Sequence, residues 1–357
     1  MKEISQIKEY YIAYFDILGY KSFIKNNPEK EVELLNTVHS IITKTENTIH
    51  DINNSPIATL YGDIRIQSKV FSDNVLICIE VGNDYEKEVT RLITFMGIIS
   101  DIQKQIITNY NLFVRGGITK GRMSINEVYV FGEGLIEVVE IEKATKYPRI
   151  EISPQIIEIL NKPWLCSQED LNKATLIEKR INNNEDISTD ENEFYEQTLC
   201  KGKREIIKRN LIQKVIYYCD DGKSCLSYLF CLDVNSIFPK SMVEKTLEIV
   251  KKKFPYDYEK YTQSGINTEE MFNKHKLFVI MGLEKYSDYS SIAIDDIKSF
   301  DEQEKILKKY VWAMVYHNCM CERYGKPDYF INTVANCERR HMKLVVGVVN
   351  NKSDKVN

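Results

Sequence analysis

The sequence predicts an α+β fold: an antiparallel sheet with helices on one face, followed by a C-terminal α/β elaboration. Over the first 160 residues, short apolar runs of strand length alternate with longer segments of helical spacing. Two β-rich runs in this region flank a short polar turn, which indicates a hairpin. The resulting order of strand, helix, hairpin, helix and strand is that of a palm. We therefore expect a palm domain at residues 1–160.

The first elements of the palm follow from the spacing of apolar residues. Residues 10–16 (YYIAYFD) are apolar almost without a break and predict a buried strand. Residues 28–50 place apolar side chains near helical spacing and predict a helix. The runs IRIQSKVF and VLICIEV predict the two strands of a hairpin around the turn Ser-Asp-Asn at 72–74. Residues 84–109 predict an amphipathic helix.

The second half of the palm begins with glycine-rich strands. The run NLFVRGGITKG (111–121) predicts a strand that ends in glycines, and EVYVFG (127–132) predicts another. The segment EGLIEVVEIEKATKY (133–147) predicts a helix, because its apolar residues follow helical spacing. RIEI (149–152) predicts the last strand of the palm.

Residues 161–357 are predicted to form the C-terminal elaboration. The segment 166–210 is rich in Asn, Glu and Lys, which indicates a polar, solvated excursion. The following apolar run carries an Asp-Gly turn at 221–222 and predicts a hairpin. Three further elements are predicted beyond it: a helix at 242–254, a strand at 276–283 and a long helix at 304–325.

Charge and cysteine usage restrict the partners and the compartment. The net charge of −4 gives no bulk attraction to nucleic acid or to anionic lipid, so we expect neither as a partner. The charged N-terminus has no secretory apolar segment, and no apolar run reaches the roughly 18 residues of a membrane helix. Nine cysteines, an odd number scattered through apolar segments, favour a reducing compartment. We expect a cytoplasmic protein.

Two carboxylates are predicted to meet at one end of the sheet. Asp16 ends the first buried strand, where a charge is costly unless it is paired. Asp73 lies at the tip of the hairpin that a palm places beside that strand. Two adjacent carboxylates repel each other unless a cation lies between them, and Mg²⁺ and Mn²⁺ prefer such oxygen ligands. Taken singly, Asp16 is compatible with a helix N-cap and Asp73 with an ordinary turn residue.

The chain directly after Asp16 offers a second feature of such a site. Residues 17–19 are predicted to turn the chain into a helix. Backbone N–H groups at a helix N-terminus have no intrahelical acceptor and attract anions. We therefore expect the N–H groups of residues 17–19 to be free to hold a triphosphate.

Four motifs occur in order over about residues 8–155: FDILGY, KVFSDNVLI with Ser72 at a glycine position, VRGGITKG, and VYVFGEGLIEVVEIEKA. Together they resemble the strand, hairpin, strand and interface-helix motifs of the class III nucleotidyl cyclases. The combination of S-D-N, R-G-G-I and the A-x-x-Y-P-R-I of residues 144–150 is most similar to the pyrimidine cyclases of bacterial anti-phage (Pycsar) defence. The resemblance implies a ferredoxin-like palm, the class III cyclase homology domain.

The resemblance also implies a reaction. UTP or CTP would be converted to its 3′,5′-cyclic monophosphate and pyrophosphate, as a second messenger in anti-phage defence. Two Mg²⁺ or Mn²⁺ ions are implied per site, with Asp16, Ile17 and Asp73 as metal ligands. The implied catalytic residues are Asp16, Asp73 and Arg115. The resemblance further implies a homodimer with shared active sites, for which residues 134–147 offer an apolar face, and a product-sensing effector that acts downstream.

One departure from the family lies on the helix of the last motif. Purine cyclases carry Asn and Arg there, which steady the pentacovalent phosphate. The matching positions here are Ile136 and Glu140, and neither side chain can donate a hydrogen bond to a phosphate oxygen. Either another cation substitutes, with Arg115 first and Lys120 or Arg122 after it, or the site is slow. A structural ion pair between Arg115 and a carboxylate is an equally good interpretation of that residue.

The remaining predicted site residues contact the substrate. By alignment with the purine enzymes, Lys69 and Tyr129 read the base, and Tyr129 fills the space of a second purine ring. A lysine donor favours an acceptor such as O4 of uracil, which favours UTP over CTP. The alternative is that Tyr129 packs in the core and that Lys69 is a solvated charge. The other predicted substrate-binding residues are Phe15, Leu18, Gly19, Tyr20 and Lys120.

Two other functions stay open. A palm enzyme that joins two nucleotides would need a G-G-D-E-F-like or D-x-D signature, and the sequence has neither. A catalytically inactive palm that binds a nucleotide or a partner protein is compatible with Ile136 and Glu140. Two intact carboxylates argue against it, because an inactive site has no need of a charge cluster. Metal-dependent stabilisation would separate these interpretations.

Overall fold

The computed structural model describes most of the chain in seven ranges: residues 7–53, 65–82, 85–162, 168–183, 185–229, 268–288 and 297–332. Contacts divide the chain into two compact units. The first comprises Met1–Thr145 and Arg149–Ser264, and the second comprises Lys146–Pro148 and Gly265–Asn357. The boundary at residue 160 between a palm and an elaboration stays a prediction.

The described residues of the first unit form a sheet and seven α-helices. The strands are β1 (Lys8–Leu18), β2 (Ile66–Phe71), β3 (Asn74–Glu80), β4 (Phe113–Ile125), β5 (Val130–Phe131), β6 (Ile150–Ile152), β7 (Ile216–Tyr218) and β8 (Ser224–Leu226). The helices are α1 (Tyr20–Asn26), α2 (Glu31–Asn53), α3 (Tyr85–Tyr110), α4 (Glu133–Ala144), α5 (Pro154–Asn161), α6 (Gln168–Asn182) and α7 (Thr189–Val215).

The strand order of the sheet is that of a ferredoxin-like palm. β1 lies at the centre, antiparallel to β3 on one side and to β4 on the other, and β2 pairs with the outer side of β3. Helices α2 and α3 make the two crossovers of this βαββαβ-type arrangement. The predicted α+β palm is thereby confirmed. Beyond β4 the sheet continues through β6, which is parallel to β4, and then through β8 and β7.

The larger hydrophobic core lies on the face of the sheet that α2 and α3 cover. Successive strand residues point to opposite faces, so every second residue of β1 reaches this core. Its buried members include Tyr11, Ala13, Phe15 and Ile17 of β1, Leu34 and Val38 of α2, and Phe95, Ile99, Ile102 and Ile106 of α3. Since the intervening residues of β1 are also covered, the strand is apolar along most of its length.

Helix α4 packs on the opposite face, so the prediction of helices on one face only is wrong. A Cβ on Gly134 would lie 2.6 Å from Ile12 Cδ1, and a Cβ on Gly117 would lie 2.5 Å from Ile141 Cγ2. Glycine therefore permits this close approach of helix and sheet. A smaller core forms here from Tyr10, Ile12, Leu76, Cys78, Met123, Ile125 and Val138, with Leu135 and Val139 packed against it.

This packing changes the interpretation of the apolar side of residues 134–147. The sequence assigned that side to a dimer interface. Val138 is fully buried within the chain, and Leu135 and Val139 pack against the smaller core. The apolar side of α4 therefore packs against the chain's own sheet, because β1 is apolar almost without a break and presents apolar side chains on both faces.

The polar segment 166–210, predicted as a solvated excursion, contains α6 and the greater part of α7, joined by a short non-helical connection that includes residues 185–188. α6 buries Ala174 and Ile177 and contacts α7. α7 begins with a capping box, in which the Ser188 hydroxyl accepts the Glu191 N–H and the Glu191 carboxylate accepts the Ser188 N–H. A few apolar residues at helical spacing and a strong cap are enough to form helices from a segment whose composition is polar.

The hairpin of β7 and β8 confirms the predicted Asp-Gly turn. Gly222 has a φ of +79°, a left-handed conformation that favours glycine. Its N–H donates to the Cys219 carbonyl oxygen at 3.0 Å. The helix predicted at 242–254 lies outside the described residues.

The second unit contains α8 (Thr268–Ser287) and α9 (Ile297–Arg323), which contact each other. The prediction of a strand at 276–283 is wrong, and the long helix is confirmed. His275, Phe278, Val279 and Leu283 are buried, and their spacing is helical. A short apolar run does not distinguish a strand from a buried helix segment. Within the described ranges, no helix combines the length and apolar composition needed to cross a membrane.

Candidate functional site

The end of β1 brings the two predicted carboxylates to one end of the sheet. Asp16 pairs in register with Asn74 of β3 and with Arg115 of β4. Asp73 lies in the two-residue turn between β2 and β3, and its carbonyl oxygen accepts the Ile17 N–H at 3.0 Å. The central position of β1 produces this convergence, because the hairpin must then lie beside it. The roles of both residues as metal ligands stay predictions.

The hairpin turn is strained at the position before Asp73. Ser72 has a φ of +59°, in the left-handed region that glycine adopts without cost. This is the position at which the resembled family has glycine. The turn is nevertheless held by two contacts of Asn74, whose amide donates to Asp73 Oδ1 at 3.1 Å and whose Oδ1 accepts the Tyr14 hydroxyl at 2.7 Å.

The chain after Asp16 differs from the expectation of three free N–H groups. β1 continues through Leu18, and the Ile17 N–H is already bonded to the hairpin turn. Gly19 has a φ of +82° and starts the seven-residue helix α1. The Tyr20 hydroxyl donates to Glu31 at 2.9 Å. The expectation of free N–H groups is wrong for Ile17, because β1 extends beyond its apolar run and the Ile17 N–H donates to the Asp73 carbonyl oxygen.

Arg115 lies between two carboxylates. Its Nη2 atom is 3.0 Å from Asp16 Oδ2 and 2.5 Å from Glu142 Oε1. The side chains of Arg115 and Asp16 are 26% and 19% exposed, and that of Glu142 is 8% exposed. The structural ion pair that the sequence left open for Arg115 is therefore present, and it involves two partners.

Glu142 is the site residue that sequence reasoning missed. It lies on α4 in the same buried stripe as Gly134 and Val138, at intervals of four residues. A carboxylate that continues a buried helical stripe needs a cationic partner, which is the signal that could have identified it. The two positions of α4 that match the Asn and Arg of purine cyclases, Ile136 and Glu140, both have exposed side chains.

The electrostatics of the cluster reflect this crowding of acids. Burial raises the pKa of Glu142; the charge of Arg115 acts against this increase, and the charge of Asp16 adds to it. Burial also raises the pKa of the Tyr14 hydroxyl, and the charges of Glu142, Asp16 and Asp73 raise it further. The geometry behind these shifts is the contact of Arg115 with both Asp16 and Glu142, and the hydrogen bond from the Tyr14 hydroxyl to Asn74, next to Asp73.

Lys69, one of the two predicted base-reading residues, contacts the turn that carries the other, Tyr129. The Lys69 ammonium donates to the Glu127 carbonyl oxygen at 2.9 Å, in the turn that carries Tyr129. Asn126 Oδ1 accepts the Tyr129 N–H at 2.9 Å and shapes this turn. Tyr129 is 41% exposed. The alternative that Tyr129 packs in the core is therefore wrong.

Two predicted binding residues lie away from the carboxylates. Lys120 pairs in register with Tyr11, so it lies on the α3 side of the sheet, and its Nζ is 3.1 Å from Glu9. Phe15 is fully buried in the larger core. The structure therefore does not bring the Lys120 side chain to Arg115, and only the backbone of Phe15 is available to a ligand.

The side chains at the end of β1 fit a hard divalent cation. Asp16, Asp73 and the oxygens of Asn74 and Tyr14 are all oxygen donors. Among the described residues, no group of three or more His, Cys, Asp or Glu side chains forms a complete metal cage. Mg²⁺ does not require one, because it commonly uses one or two carboxylates together with substrate phosphates and water.

Comparison with known proteins adds a likeness of fold. No protein-family profile and no curated protein matches the chain. The guanylyl cyclase domain of the RhoGC fusion protein of the aquatic fungus Blastocladiella emersonii is 14% identical, with a TM-score of 0.32, and covers 44% of this chain and 88% of that one. The guanylate cyclase domain of RhGC from Catenaria anguillulae is 14% identical, with a TM-score of 0.31, and covers 44% and 85%.

A third structure is that of a class III adenylyl cyclase-like ATP-binding protein from Pseudomonas aeruginosa. It is 15% identical, with a TM-score of 0.30, and covers 47% of this chain and 37% of that one. The strand order described above, rather than these low scores, defines the fold as a ferredoxin-like palm.

Proposed function

We propose that the protein is a metal-dependent pyrimidine nucleotide cyclase, which converts UTP or CTP to the 3′,5′-cyclic monophosphate and pyrophosphate. The observation that carries the proposal is the convergence of Asp16 and Asp73 at one end of a ferredoxin-like sheet, with the Ile17 N–H bonded to the Asp73 carbonyl oxygen. The motifs around both residues support it, since they resemble those of class III nucleotidyl cyclases in the same order.

In this reaction the ribose 3′-hydroxyl loses its proton to water and its oxygen forms a bond to the α-phosphorus, while the bond from that phosphorus to the bridging oxygen breaks and pyrophosphate leaves. The Asp16 and Asp73 carboxylates and the main chain at Ile17 would hold two Mg²⁺ or Mn²⁺ ions. When bound, such ions lower the pKa of the attacking hydroxyl and neutralise the phosphates. The protein's own contribution is to orient the triphosphate and to exclude water.

Arg115 is the proposed stabiliser of the transferring phosphate. Ile136 and Glu140 offer no donor, whereas the planar Arg115 guanidinium has five N–H donors. Its position opposite Asp16 in the β1–β4 register supports this role. Because Arg115 also contacts Glu142, it can replace its contact with Asp16 by a contact with a phosphate and still keep Glu142 as a partner.

Lys69 and Tyr129 are the proposed base-reading residues. The bond from Lys69 to the turn that carries Tyr129 supports a shared role, and the exposure of the Tyr129 ring supports contact with a ligand. A tyrosine ring in place of a small residue leaves room for one ring of a base, which favours pyrimidines. The lysine favours an acceptor such as O4, which favours UTP.

We further propose a homodimer with shared active sites in the cytoplasm, whose product acts on a separate effector in anti-phage defence. The defence role rests on the resemblance alone. The dimer has support from exposed apolar side chains on β2, in the turn that carries Tyr129, on β5 and on α4. These are Phe71, Val128, Phe131 and Ile136. Sedimentation at micromolar concentration tests it: a strictly monomeric protein that still turns over would overturn the shared-site proposal.

The activity is tested by incubating purified protein with Mn²⁺ and equimolar ATP, GTP, CTP and UTP, and separating the products by chromatography. We expect cyclic UMP as the main product, and none from the Asp73→Ala variant. Mainly cyclic CMP would contradict only the preference for uracil. Mainly cyclic AMP or cyclic GMP would refute the argument that the size of Tyr129 excludes purines. The absence of any cyclic product would refute the proposed cyclase activity.

A catalytically inactive palm that binds a nucleotide or a partner is the second candidate. It has support from the exposed Ile136 and Glu140, which cannot donate to phosphate, and from the engagement of Arg115 with two carboxylates. If the palm is inactive, a nucleoside triphosphate should raise the melting temperature of the protein, and no cyclic nucleotide should form. Product formation would exclude it.

A further inference from the structure

The inference concerns Glu142, and it rests on the proposed metal site at Asp16. Arg115 and a divalent cation would both bind the Asp16 carboxylate, so in the cluster as described the arginine occupies a ligand that the cation needs. Arg115 Nη2 lies 3.0 Å from Asp16 Oδ2, and the same atom also contacts Glu142 Oε1. The arginine thus has a second carboxylate within reach without a change of position along its strand.

The three side chains come from different elements, and this limits how the cluster can rearrange. Asp16 and Arg115 lie opposite each other on β1 and β4, where the ladder fixes their backbones. Glu142 lies on the buried stripe of α4, held against the sheet by the close approach at Gly117. Because the guanidinium is the flexible end of a long side chain, it is the group that moves.

The formal charges of the cluster also favour a cation. Arg115 contacts Asp16 and Glu142, and the hydrogen bond between the Ile17 N–H and the Asp73 carbonyl oxygen brings Asp73 to the same end of β1. Three carboxylates and one guanidinium leave two negative charges when all are ionised. One divalent ion balances that charge. Without Glu142 the balance would fall to one negative charge, and the guanidinium would have Asp16 as its remaining carboxylate.

From this geometry we infer that Glu142 is a positioning residue, which holds the Arg115 guanidinium away from Asp16 when a divalent cation occupies the site. When the cation binds Asp16, Arg115 loses its ion pair with Asp16 and keeps its ion pair with Glu142. The residue acts through Arg115 rather than by contact with metal or substrate. Its loss should therefore weaken metal binding even though Glu142 is not itself a proposed ligand.

The test is a titration of the full-length protein with Mn²⁺, followed by electron paramagnetic resonance of the free ion, in the absence of nucleotide. We expect Glu142→Gln to weaken Mn²⁺ binding about tenfold, the lower end of the loss seen when a residue that supports a metal ligand is changed. Glu140→Gln is the matched control, because Glu140 lies on the same helix and its side chain is exposed. It should bind Mn²⁺ like the unchanged protein.

A second variant separates positioning from damage to the fold. Arg115→Ala in the Glu142→Gln background removes the competitor for Asp16, so Mn²⁺ affinity should return at least to the unchanged level. A purely structural role of Glu142 predicts no recovery. Unchanged affinity in Glu142→Gln, or failure of the double variant to recover it, would overturn the inference.

Mn²⁺ binding and product formation together separate the positioning role of Glu142 from the proposed cyclase reaction. If the unchanged protein binds no Mn²⁺, both the metal site and the inference are wrong. If it binds Mn²⁺ and the variants behave as expected but no cyclic nucleotide forms, the inference holds and the proposed reaction fails. If cyclic nucleotide forms and Glu142→Gln binds Mn²⁺ normally, the reaction holds and the inference fails.

Discussion

Two arginines, Arg115 in β4 and Arg149 directly before β6, each lie between two carboxylates, and they differ in burial. Arg149 Nη2 is 2.7 Å from Glu151 and 2.6 Å from Asp221, and its side chain is 3% exposed. Arg115 contacts Asp16 and Glu142, and its side chain is 26% exposed. The Arg149 cluster joins β6 to the turn of the β7–β8 hairpin, whereas the Arg115 cluster lies at the end of β1 beside the hairpin turn of β2 and β3.

The difference in burial separates a structural ion pair from one that can exchange partners. Burial opposes the charge of Arg149, but its hydrogen bonds to Asp221 and Glu151 outweigh this and raise its pKa. Breaking that cluster would leave an unpaired buried charge, which is strongly destabilising. The Arg115 cluster carries an additional carboxylate nearby and a partly exposed guanidinium, so a cation or phosphate can reach it. We therefore expect Arg149 variants to lose stability and Asp16 variants to lose activity.

The largest expected effect is on turnover. Asp16→Ala should reduce cyclic nucleotide formation about a thousandfold, the upper value for losing one group that stabilises a transition state. The fold should remain, because Arg115 keeps Glu142 as a partner. The measurement is product formation with Mn²⁺ and UTP, together with a circular dichroism spectrum.

The matched control for this variant is Asp221→Asn. Asp221 also pairs with an arginine, but in the other cluster, so this variant should keep its turnover. Substantial activity in Asp16→Ala, or equal losses in both variants, would mean that the two clusters do not differ in function.

The next largest effect is on stability. Arg149→Ala should lower the free energy of unfolding by about 3–5 kcal/mol, because it leaves Glu151 buried without its main partner. Arg115→Ala should cost less, about 1–3 kcal/mol, because its cluster is more exposed to water. Urea denaturation followed by circular dichroism measures both. A larger loss of unfolding free energy for Arg115→Ala than for Arg149→Ala would contradict the assignment of Arg149 as the structural arginine.

The smallest effect is on the pH dependence of stability. The pKa of Glu142 is raised from its usual 4.5, chiefly by burial, so the folded state holds its proton more tightly. As pH rises above about 4.5, the unchanged protein should lose stability relative to Glu142→Gln. Burial opposes the ionisation of Asp221, but Arg149 outweighs it and lowers the pKa from 3.8. As pH falls below about 3.8, the unchanged protein should lose stability relative to Asp221→Asn.

Melting temperatures between pH 3 and pH 7 measure these two slopes. Each kcal/mol changes the melting temperature of a domain of 150–250 residues by about 2–4 °C, so differences of this size are resolvable. For each variant, the slope is the change with pH of the difference in melting temperature between the unchanged protein and that variant. Slopes of the same sign for Glu142→Gln and Asp221→Asn would show that the surroundings of Glu142 do not disfavour its charge.

Local pattern was sufficient for the elements that build the site. The apolar run before Asp16 and the turn around Asp73 each predict their own element, because strand burial and turn chemistry depend on neighbouring residues. The order of elements then predicts the palm, and the palm places the hairpin beside the first strand. Local pattern failed at residues 276–283, where a short apolar run forms part of a helix whose buried face is set by its packing partner.

The sequence by itself predicted a carboxylate after an apolar run, another at a hairpin tip, and a strand order that brings both to one end of the sheet. The strand β1 itself continues two residues beyond Asp16, to Leu18. Only the tertiary structure decided that Arg115 lies between Asp16 and Glu142, and that the Ile17 N–H is used by the hairpin. The physical reason is range. Helix and strand periodicity act over a few residues, whereas an ion pair joins side chains that the packing of α4 on the second face of the sheet brings within reach.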